Sequence, residues 1–372
     1  MKEIKLSMVG IGNIGKVHCI SALSIPLLYP NNDYQIRFGK LLRNNQSAPC
    51  PFYFEGYANN LEELCADDST DAIDICSPNN MHFKQAMMVI ESKKALYLEK
   101  PIGVNSKQAI ELSKAVKDAG IISQTALMYR MMPGIIAIRD LIESGELGEI
   151  IDFKLITLHS GYLNVNRAKN WKLSKEESGG GPLLDIGVHM ADTVNFTLGN
   201  IKKCSCQQKT VIKNRPDYKT GEMADVDVED WANVRLVLEN GITGSIEVSR
   251  VSSVLDQSST FDVYGTKGSI HFSSATPNRI RIYKQDTGEE IERKAPAISD
   301  YAKYVSSIYP KLSRGWLIDS HTVLLVNFLN NLNANKILYK ETPSFDDDAN
   351  AQKAIEAAYE SAENDSIFVE VK

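Results

Sequence analysis

Two charged residues stand where a predicted parallel sheet would end. Glu99-Lys100-Pro101 follows the short apolar segment Ala95–Leu98, which is typical of a buried strand. Ligands of open parallel sheets bind at the carboxyl ends of the strands, so Lys100 would bring a cation to a binding edge. A lysine beside a glutamate is also commonly a solvated pair, and its position alone leaves that alternative open.

A polar segment after the preceding strand would converge on the same edge. Ser77, Pro78 and Asn79 follow the predicted strand Ala72–Cys76, and His82 heads the apolar helix that comes next. Backbone and side-chain groups of the two turns would then line a ligand-binding site at this edge. His82 is compatible with two roles, hydrogen-bonded packing and ligand contact.

A second group of candidates lies in the run Gly179-Gly180-Gly181-Pro182-Leu183-Leu184-Asp185-Ile186-Gly187-Val188-His189. Three glycines let the backbone approach another group closely before a helix begins. Asp185 and His189 are four residues apart, which on one helix lets the carboxylate orient the imidazole and raise its basicity. A neutral histidine near its working pKa accepts the proton of an alcohol. The alternatives are a structural pair and a metal site, but no third ligand can be placed, so no metal is predicted.

The run Gly10-Ile11-Gly12-Asn13-Ile14-Gly15 predicts a dinucleotide site. It lies between an alternating segment around Ile4 and a helical pattern over Lys16–Ser24, as a strand–turn–helix fingerprint requires. One glycine makes the tight turn, another admits a pyrophosphate and the third packs helix on strand. The diphosphate would sit at the helix N-terminus, and a flexible glycine loop is the alternative. The predicted contacts are Gly10, Gly12, Asn13, Ile14 and Gly15.

The elements that must position these residues fall into two regions. Residues 1–126 alternate predicted strands and helices, which favours an α/β domain with a doubly wound parallel sheet. The clearest helix covers Ser106–Ala119, with Gly120 where a C-terminal glycine belongs. Strands are predicted at Tyr34–Leu42, Phe52–Tyr57, Ala72–Cys76, Ala95–Leu98 and Ile121–Thr125.

Residues 127–372 begin with a helix near Ile135–Ser144 and change to strands joined by tight turns. Asn240-Gly241 predicts one hairpin, because both residues tolerate positive φ, and Thr266-Lys267-Gly268 predicts another. Consecutive strands with short turns indicate an antiparallel sheet. Helices near Met190–Leu198, His321–Leu332 and Asp348–Asn364 are expected to cover its inner face.

Length and composition limit the function. At 372 residues the chain exceeds what one hydrophobic core usually serves, and a formal charge of −6 without a basic patch argues against nucleic acid or a membrane surface as partner. No apolar run approaches the ~20 residues of a membrane span, and the N-terminus leads straight into a strand, so a cytoplasmic location is predicted. Six scattered cysteines favour reduced thiols, and Cys204 and Cys206 alternate like structural strand residues. The acidic stretch Glu222–Asp230 is expected to be a solvated edge strand, with calcium binding as the alternative.

Together these motifs resemble the Gfo/Idh/MocA oxidoreductases, the family of glucose-fructose oxidoreductase and inositol dehydrogenase. Besides the glycine run, the likeness rests on Glu99-Lys100-Pro101, the Gly179–His189 run, Tyr264-Gly265-Thr266-Lys267-Gly268 and the closing helix Ala354–Ala362. The resemblance covers essentially the whole chain. It implies an N-terminal Rossmann domain, a C-terminal α/β domain on an open, mainly antiparallel sheet, and a homodimer or homotetramer formed through that sheet.

The resemblance also implies a chemistry. In the family, residues that match Lys100 and His189 lie near nicotinamide C4 and the substrate carbinol, and the residue that matches Asp185 holds a substrate hydroxyl. We therefore expect NAD(P)-dependent hydride transfer between the cofactor and a secondary alcohol or ketone of a sugar, polyol or glycoside. His189 would take the hydroxyl proton and Lys100 would stabilise the alkoxide, or the two roles would be exchanged.

The segment Gly161–Trp171 mixes aromatic faces with hydrogen-bond donors. Such a mixture suits a hydroxyl-rich ring, and it suits a polar surface loop equally well. In the family this region lines the substrate pocket, so the resemblance implies three contacts, Tyr162, Arg167 and Trp171.

Two residues depart from the family pattern. NAD-binding members usually have an acidic residue at the end of the second strand for the ribose 2′-hydroxyl, where this chain has Arg43. An arginine can pair with a 2′-phosphate, so the sequence favours NADP slightly over NAD, although some arginines there stack on adenine. Met128 stands where relatives often have an asparagine near the cofactor.

Two other functions stay open from the sequence. A dinucleotide-sensing regulator of the same fold would be expected to have lost Lys100 and His189, and both are present. A glycosidase that uses tightly held nicotinamide for transient oxidation would retain its cofactor through purification and release a leaving group without net reduction.

Overall fold

A computed structural model describes residues 2–305, 308 and 310–372, so Met1, where the predicted first domain begins, lies outside it. The chain forms two compact units. The first takes in residues 2–103, 107–128 and, later in the chain, the described part of 305–349. The second takes in 104–106, 129–304 and 350–372.

A six-stranded parallel sheet organises the first unit. Across the sheet the strands follow the order β3-β2-β1-β4-β5-β6. The chain thus starts in the middle and builds outwards in both directions, and the change of direction between β1 and β4 is the switch point at which such sheets bind ligands. In chain order the strands are β1 (Lys2–Val9), β2 (Tyr34–Leu42), β3 (Gly56–Tyr57), β4 (Ala72–Ile75), β5 (Ala95–Leu98) and β6 (Ser123–Thr125).

Helices connect these strands and cover them. Ile73 and Leu96 of the central strands pack in one core with Val89 and Leu112 of two of the helices. Burial on both faces explains why β4 and β5 have short, mostly apolar sequences without polar alternation. The helices are α1 (Asn13–Leu28), α2 (Leu61–Ala66), α3 (Asn79–Glu91) and α4 (Ser106–Ala119).

A nine-stranded mixed sheet organises the second unit, in the order β16-β15-β14-β13-β7-β12-β11-β8-β17. Strands β7 and β12 pair in parallel, and the other neighbouring pairs are antiparallel. The fold class is therefore the predicted one. The strands are β7 (Ile150–Leu158), β8 (Ile201–Lys209), β11 (Trp231–Leu238), β12 (Thr243–Ser249), β13 (Thr260–Gly265), β14 (Gly268–Ser273), β15 (Arg279–Lys284), β16 (Glu290–Lys294) and β17 (Val369–Glu370), with a separate pair β9 (Asn214–Pro216) and β10 (Met223–Asp225).

Two of the three expected helices cover this sheet. Helix α8 packs on β8 and β12, and Ser361 in the later part of α11 accepts a hydrogen bond from the Cys206 backbone N–H at 2.9 Å. The remaining helices are α5 (Pro133–Glu143), α6 (Lys175–Ser178), α7 (Pro182–Asp185), α8 (Gly187–Leu198), α9 (Asp300–Tyr304), α10 (Trp316–Ala334) and α11 (Phe345–Glu363).

The expectation for the third helix, near His321–Leu332, is wrong. Helix α10 belongs to the first unit, where it packs on α1 and β1 and where the Thr322 and Ser21 hydroxyls lie 3.1 Å apart. Most of its side chains are buried on every face. A sequence pattern without a polar face predicts that a helix is buried, but it does not predict which sheet the helix packs against.

Most local predictions agree with the structure. Helix α4 has the predicted bounds, and Gly241 in the predicted hairpin has a φ of +89°. The predicted third strand over Phe52–Tyr57 shrinks to its last two residues, because a turn in which Phe54 donates to the Pro51 carbonyl occupies its first part. Cys204 and Cys206 are free, buried residues of β8. No helix in the described ranges is long and apolar enough to span a bilayer.

Candidate active site

The glycine turn after β1 is closed at two positions and open at one. A Cβ atom on Gly10, whose φ is +87°, would lie 2.7 Å from the Cys76 carbonyl oxygen, and one on Gly15 would lie 2.6 Å from the Gly10 oxygen. A Cβ on Gly12 would meet no heavy atom of the described structure within 4 Å. Two of the glycines therefore serve turn and packing, and the third leaves free space.

This free space lies at the start of a long helix. Gly12 is the N-cap of α1, and in the described structure no side chain caps the first N–H groups of that helix. Asn13 and Ile14 form its first turn. Unpaired N–H groups and the helix dipole favour an anion there, so the turn fits the diphosphate of a dinucleotide.

Arg43 lies beside this turn. The Gly10 N–H donates to the Leu42 carbonyl at 2.8 Å, so Arg43 directly follows the residue that anchors the first glycine. Its side chain is half-buried and its carbonyl accepts a hydrogen bond from Gln46. It therefore stands at the carboxyl end of β2, where the ribose-binding residue of a Rossmann domain is expected.

The turn after β4 joins the same edge. Cys76 contacts the Gly10 position and donates its N–H to the Val9 carbonyl at 2.7 Å. The Ser77 hydroxyl donates to Gln85 at 2.6 Å, Pro78 is the N-cap of α3, and Asn79 is buried in the first turn.

His82 links this turn to the next one. Its Nδ1 lies 2.8 Å from the Pro101 carbonyl oxygen and its Nε2 lies 2.8 Å from the Ser77 carbonyl oxygen. The ring is buried, and burial lowers the pKa of His82 against the opposing effect of the two carbonyls. The side chain thus holds the turns after β4 and β5 together.

Glu99 and Lys100 follow β5. The Glu99 N–H continues the sheet by donating to the Ile75 carbonyl at 3.0 Å, and its carboxylate is buried against His18. Burial would raise the pKa of Glu99, but the hydrogen bond and charge of His18 prevail and hold it at about 2, with a further contribution from the charge of Lys100. Lys100 is half-buried and precedes a cis peptide bond to Pro101.

In the second unit, Asp185 and His189 do not share one continuous helix. Asp185 ends α7, Ile186 intervenes with a φ of −104°, and His189 lies in the first turn of α8, where its N–H donates to the Ile186 carbonyl at 3.1 Å. Gly187, a poor helix former, stands at the break. The one-face geometry expected from the spacing therefore does not apply.

Asp185 forms an ion pair that sequence reasoning missed. The Lys172 ammonium lies 3.1 and 3.3 Å from its two carboxylate oxygens, and the negative charge of Asp185 raises the pKa of Lys172. The same ammonium lies 5.4 Å from the centre of the Trp171 ring. Lys172 follows Trp171 directly in a 3₁₀ turn, so the partner of Asp185 lies one residue beyond the predicted segment Gly161–Trp171.

His189 is buried and stacks on an aromatic ring. Its imidazole lies 4.8 Å from the Tyr129 ring, with only 3° between the planes. The Tyr129 hydroxyl lies 2.9 Å from the Ser259 hydroxyl, which accepts from Thr157 at 2.8 Å. Burial raises the pKa of Tyr129, which keeps its ring neutral.

Tyr162 is held between two cations. The Arg167 guanidinium lies 3.9 Å and that of Arg250 4.8 Å from the centre of its ring. Buried Arg215 donates to the Tyr162 and Asn164 carbonyls at 2.5 and 2.7 Å. The loop is therefore tied to the second unit, but no local pattern marks Arg215, which lies in a short polar strand.

The acidic stretch Glu222–Asp230 is not a solvated edge strand throughout. Glu229 and Asp230 are buried, and Glu229 accepts from the backbone N–H groups of Gly181 and Leu183 at 3.0 and 2.9 Å. Burial raises the pKa of Glu229 despite these bonds. The prediction of a solvated strand is wrong for the last residues of the stretch. Its polar alternation is typical of an exposed strand, but Glu229 points inwards and accepts hydrogen bonds from the glycine run.

Each unit thus gathers part of the predicted site. The first brings Gly12, Arg43, the turn after β4 and Lys100 to one sheet edge. The second brings Tyr162 and Arg167 into one cluster, Trp171 beside the Lys172–Asp185 pair, and His189 onto Tyr129. An open glycine at the switch point of a parallel sheet defines the class as a two-domain dinucleotide-binding protein.

The match to known families specifies this class. Residues 4–126 match the oxidoreductase family with an NAD-binding Rossmann fold, and residues 135–271 match the GFO/IDH/MocA C-terminal domain. The chain belongs to the Gfo/Idh/MocA family of NAD-binding oxidoreductases.

Relatives of known activity include sugar and polyol dehydrogenases. Levoglucosan dehydrogenase of Pseudarthrobacter phenanthrenivorans is 26% identical over 298 residues, which is 76% of each chain. Glucose-6-phosphate 3-dehydrogenase of Bacillus subtilis is 22% identical over 361 residues, or 97% of each chain. A structure of levoglucosan dehydrogenase in complex with NADH superposes with a TM-score of 0.90 at 23% identity, covering 100% of both chains, and so has the same fold.

Proposed function

We propose that the protein is a nicotinamide-dependent dehydrogenase of a sugar or polyol, acting on a secondary alcohol. One observation supports this proposal most directly. The space at Gly12 opens onto the uncapped start of α1, in a chain whose family consists of NAD-binding oxidoreductases. The relatives include the dehydrogenases of levoglucosan and of glucose 6-phosphate, and the scyllo-inositol 2-dehydrogenase of Bacillus subtilis.

We assign the chemical roles to three residues. His189 accepts the hydroxyl proton of the substrate, Lys100 stabilises the oxygen as negative charge develops on it, and Asp185 accepts a hydrogen bond from a neighbouring hydroxyl. Nicotinamide, when bound, supplies the hydride acceptor. The flat stack on Tyr129 supports the assignment of His189, because it holds the imidazole in one plane.

Tyr162, Arg167 and Trp171 are proposed substrate contacts. The cation–ring contact of Arg167 with Tyr162 and the ammonium of Lys172 near Trp171 give this segment both flat apolar faces and hydrogen-bond donors. A sugar ring offers the matching chemistry, since it has C–H faces and a rim of hydroxyls.

The cofactor preference follows from Arg43. The edge that Gly10 and Leu42 define carries a guanidinium where NAD-specific Rossmann domains carry a carboxylate, so we propose NADP as the favoured cofactor. Glu99 and Asn79 belong to the proposed cofactor site through the turns on which they lie. The backbone of Ser77 and Pro78 lines the same edge of the sheet.

Two further properties complete the proposal. The nine-stranded sheet would join copies of the chain as a homodimer or homotetramer. The six cysteines are all free thiols, which supports a reducing, cytoplasmic environment.

The proposal is tested with a substrate panel. Purified protein is incubated with levoglucosan, scyllo-inositol, glucose 6-phosphate and other aldoses, polyols and glycosides, with NAD⁺ or NADP⁺, and reduced nicotinamide is followed by absorbance. Turnover with at least one sugar, lost in Lys100→Met and His189→Asn by about 100-fold or more, is expected. Near wild-type turnover in both variants would contradict the assignment, and release of an aglycone without net reduction would establish the glycosidase alternative.

A further inference from the structure

A buried group of ionisable side chains lies beneath the turn that carries Lys100. His18 on α1 is 2% exposed, Asp74 on β4 is 0% exposed and Glu99 after β5 is 5% exposed. His18 Nδ1 lies 2.9 Å from an Asp74 carboxylate oxygen, and its Nε2 lies 3.0 Å from a Glu99 carboxylate oxygen. One imidazole therefore bridges two carboxylates from neighbouring strands.

These contacts define the protonation of His18. An ionised carboxylate can only accept a hydrogen bond, so each ring nitrogen that faces one must carry a hydrogen, which makes the ring an imidazolium. Burial would lower the pKa of His18, but the charge and the hydrogen bond of Asp74 prevail and raise it well above the ordinary value. Two carboxylates around one imidazolium leave one negative charge in the cluster.

The other groups that face His18 do not cancel this charge. Burial raises the pKa of the Tyr97 hydroxyl and of the Cys76 thiol well above their ordinary values, so both are neutral. Burial and the charge of His18 lower the pKa of His321 to about 3, so its ring, 5.0 Å from that of His18, is neutral as well. The charge of Lys100 also acts on Glu99 and helps to lower its pKa.

We infer that His18 is a positioning residue for Lys100: its imidazolium fastens the Glu99 carboxylate beneath the turn and so holds the Lys100 ammonium in place for catalysis. The inference rests on the proposed function, because it takes Lys100 as the group that stabilises the reacting oxygen. His18 acts on Lys100 through Glu99, the residue next to it in the sequence. The backbone of Glu99 is also fixed, because its N–H donates to the Ile75 carbonyl of the sheet.

The first test observes His18 directly. Nitrogen-15 NMR of histidine-labelled protein, with the His18 signals assigned by their absence in His18→Gln, is expected to show both ring nitrogens still protonated at pH values above the ordinary histidine pKa of about 6.5. A His18 that is neutral in this range overturns the inference. The group of His18, Glu99 and His321 also has ligand atoms within 4.8 Å of one another, so a stoichiometric metal ion lost in His321→Gln would overturn it too.

The second test separates positioning from general support of the fold. His18→Gln is expected to lower kcat on the order of 100-fold with little change in KM or in NADPH affinity, and to cause no further loss in a Lys100→Met background. His271→Gln is the matched control, because it makes the same replacement in a histidine–aspartate pair on β14, away from the binding edge; its kcat is expected to be near wild type. Full additivity of His18→Gln and Lys100→Met overturns the inference.

The outcomes of the two tests distinguish failure of this inference from failure of the proposed function. If no sugar is oxidised, the dehydrogenase proposal and the catalytic role of His18 are both overturned, whereas the NMR spectrum still establishes whether a buried imidazolium exists. If sugars are oxidised and His18 is neutral or additive with Lys100, only the present inference is lost.

Discussion

The carboxylate of Glu229 accepts the backbone N–H of Gly181 at 3.0 Å. The same side chain accepts from Leu183 at 2.9 Å and from the Tyr359 hydroxyl at 3.1 Å. A buried carboxylate therefore caps the start of α7, the short helix that ends at Asp185 and leads to His189. Only glycine fits at this position, since a Cβ on Gly181 would lie 2.1 Å from the Glu229 carbonyl oxygen.

Replacing this carboxylate should loosen the glycine run. Glu229→Ala leaves two buried N–H groups without acceptors, which is expected to lower the free energy of unfolding by about 1–3 kcal/mol, and to lower kcat through Asp185 and His189. Denaturant titration and steady-state kinetics measure both effects. Glu222→Ala, in the exposed part of the same acidic stretch, is the control, and equal losses in the two variants would contradict the capping role.

Gly12→Val separates cofactor binding from folding. Because no described atom lies within 4 Å of the added Cβ, the melting temperature should fall by less than in Gly15→Ala, while the larger side chain fills the space assigned to the diphosphate. We expect the Kd for NADPH to rise at least about 10-fold, since steric exclusion removes contacts with the helix N-terminus. Gly15→Ala should lower the melting temperature more, because its Cβ would collide with Gly10. Unchanged NADPH affinity in Gly12→Val would place the diphosphate elsewhere.

Arg43→Asp should reverse the cofactor preference. Wild-type protein is expected to bind NADPH more tightly than NADH, and the loss of a charge-assisted contact worth about 1.5–3 kcal/mol corresponds to about 10- to 100-fold in the ratio of the two Kd values. Fluorescence titration with both cofactors measures it. Arg37→Asp makes the same charge change at an exposed position of β2 and should leave the ratio as it is. An unchanged ratio in Arg43→Asp would mean that Arg43 does not read the 2′-phosphate.

The Tyr129 ring should matter to turnover more than its hydroxyl. Stacking at 4.8 Å and 3° is worth about 0.5–1.5 kcal/mol, so Tyr129→Leu is expected to lower kcat by about 2- to 10-fold. Tyr129→Phe keeps the ring and loses the contact with Ser259, so it should cost about 1 kcal/mol of stability and leave kcat close to wild type. Steady-state kinetics and denaturant unfolding of both variants measure the two effects. A larger loss of kcat in Tyr129→Phe than in Tyr129→Leu would show that the hydroxyl, and not the stacked ring, supports turnover.

The sequence predicted those parts of the fold that depend on local patterns. Strand β5 and helix α4 have the predicted bounds. The spacing of apolar residues and the glycine at a helix end are local signals, which a few neighbouring residues are enough to reveal. The open position of Gly12 likewise follows from a motif with its own geometry. Lys100 is predicted as a site residue because ligands bind at the carboxyl ends of parallel strands, and in the structure it follows the end of β5 by two residues.

Long-range contacts were beyond the sequence. Glu229 lies 48 residues from Gly181, and Arg215 lies 53 residues from Tyr162, so no window of the chain contains either pair. The break between Asp185 and His189 was missed because spacing assumes an unbroken helix. The partner of α10 was misplaced because burial on every face carries no direction.

His321 provides a test of the buried cluster through stability against pH. Its folded pKa of about 3 lies below its ordinary value of 6.5, so the unfolded chain binds the extra proton and stability falls as pH falls from 6.5, by up to about 1.4 kcal/mol per pH unit. His18 adds almost no slope below about pH 5.5, because a group with a raised folded pKa is charged in both states well below its ordinary pKa of 6.5. Glu99, at about 2 when folded, contributes below its ordinary 4.5. Urea unfolding of His321→Gln between these pH values should show a correspondingly flatter dependence than wild type. A wild-type slope in His321→Gln would show that His321 is protonated in the folded protein.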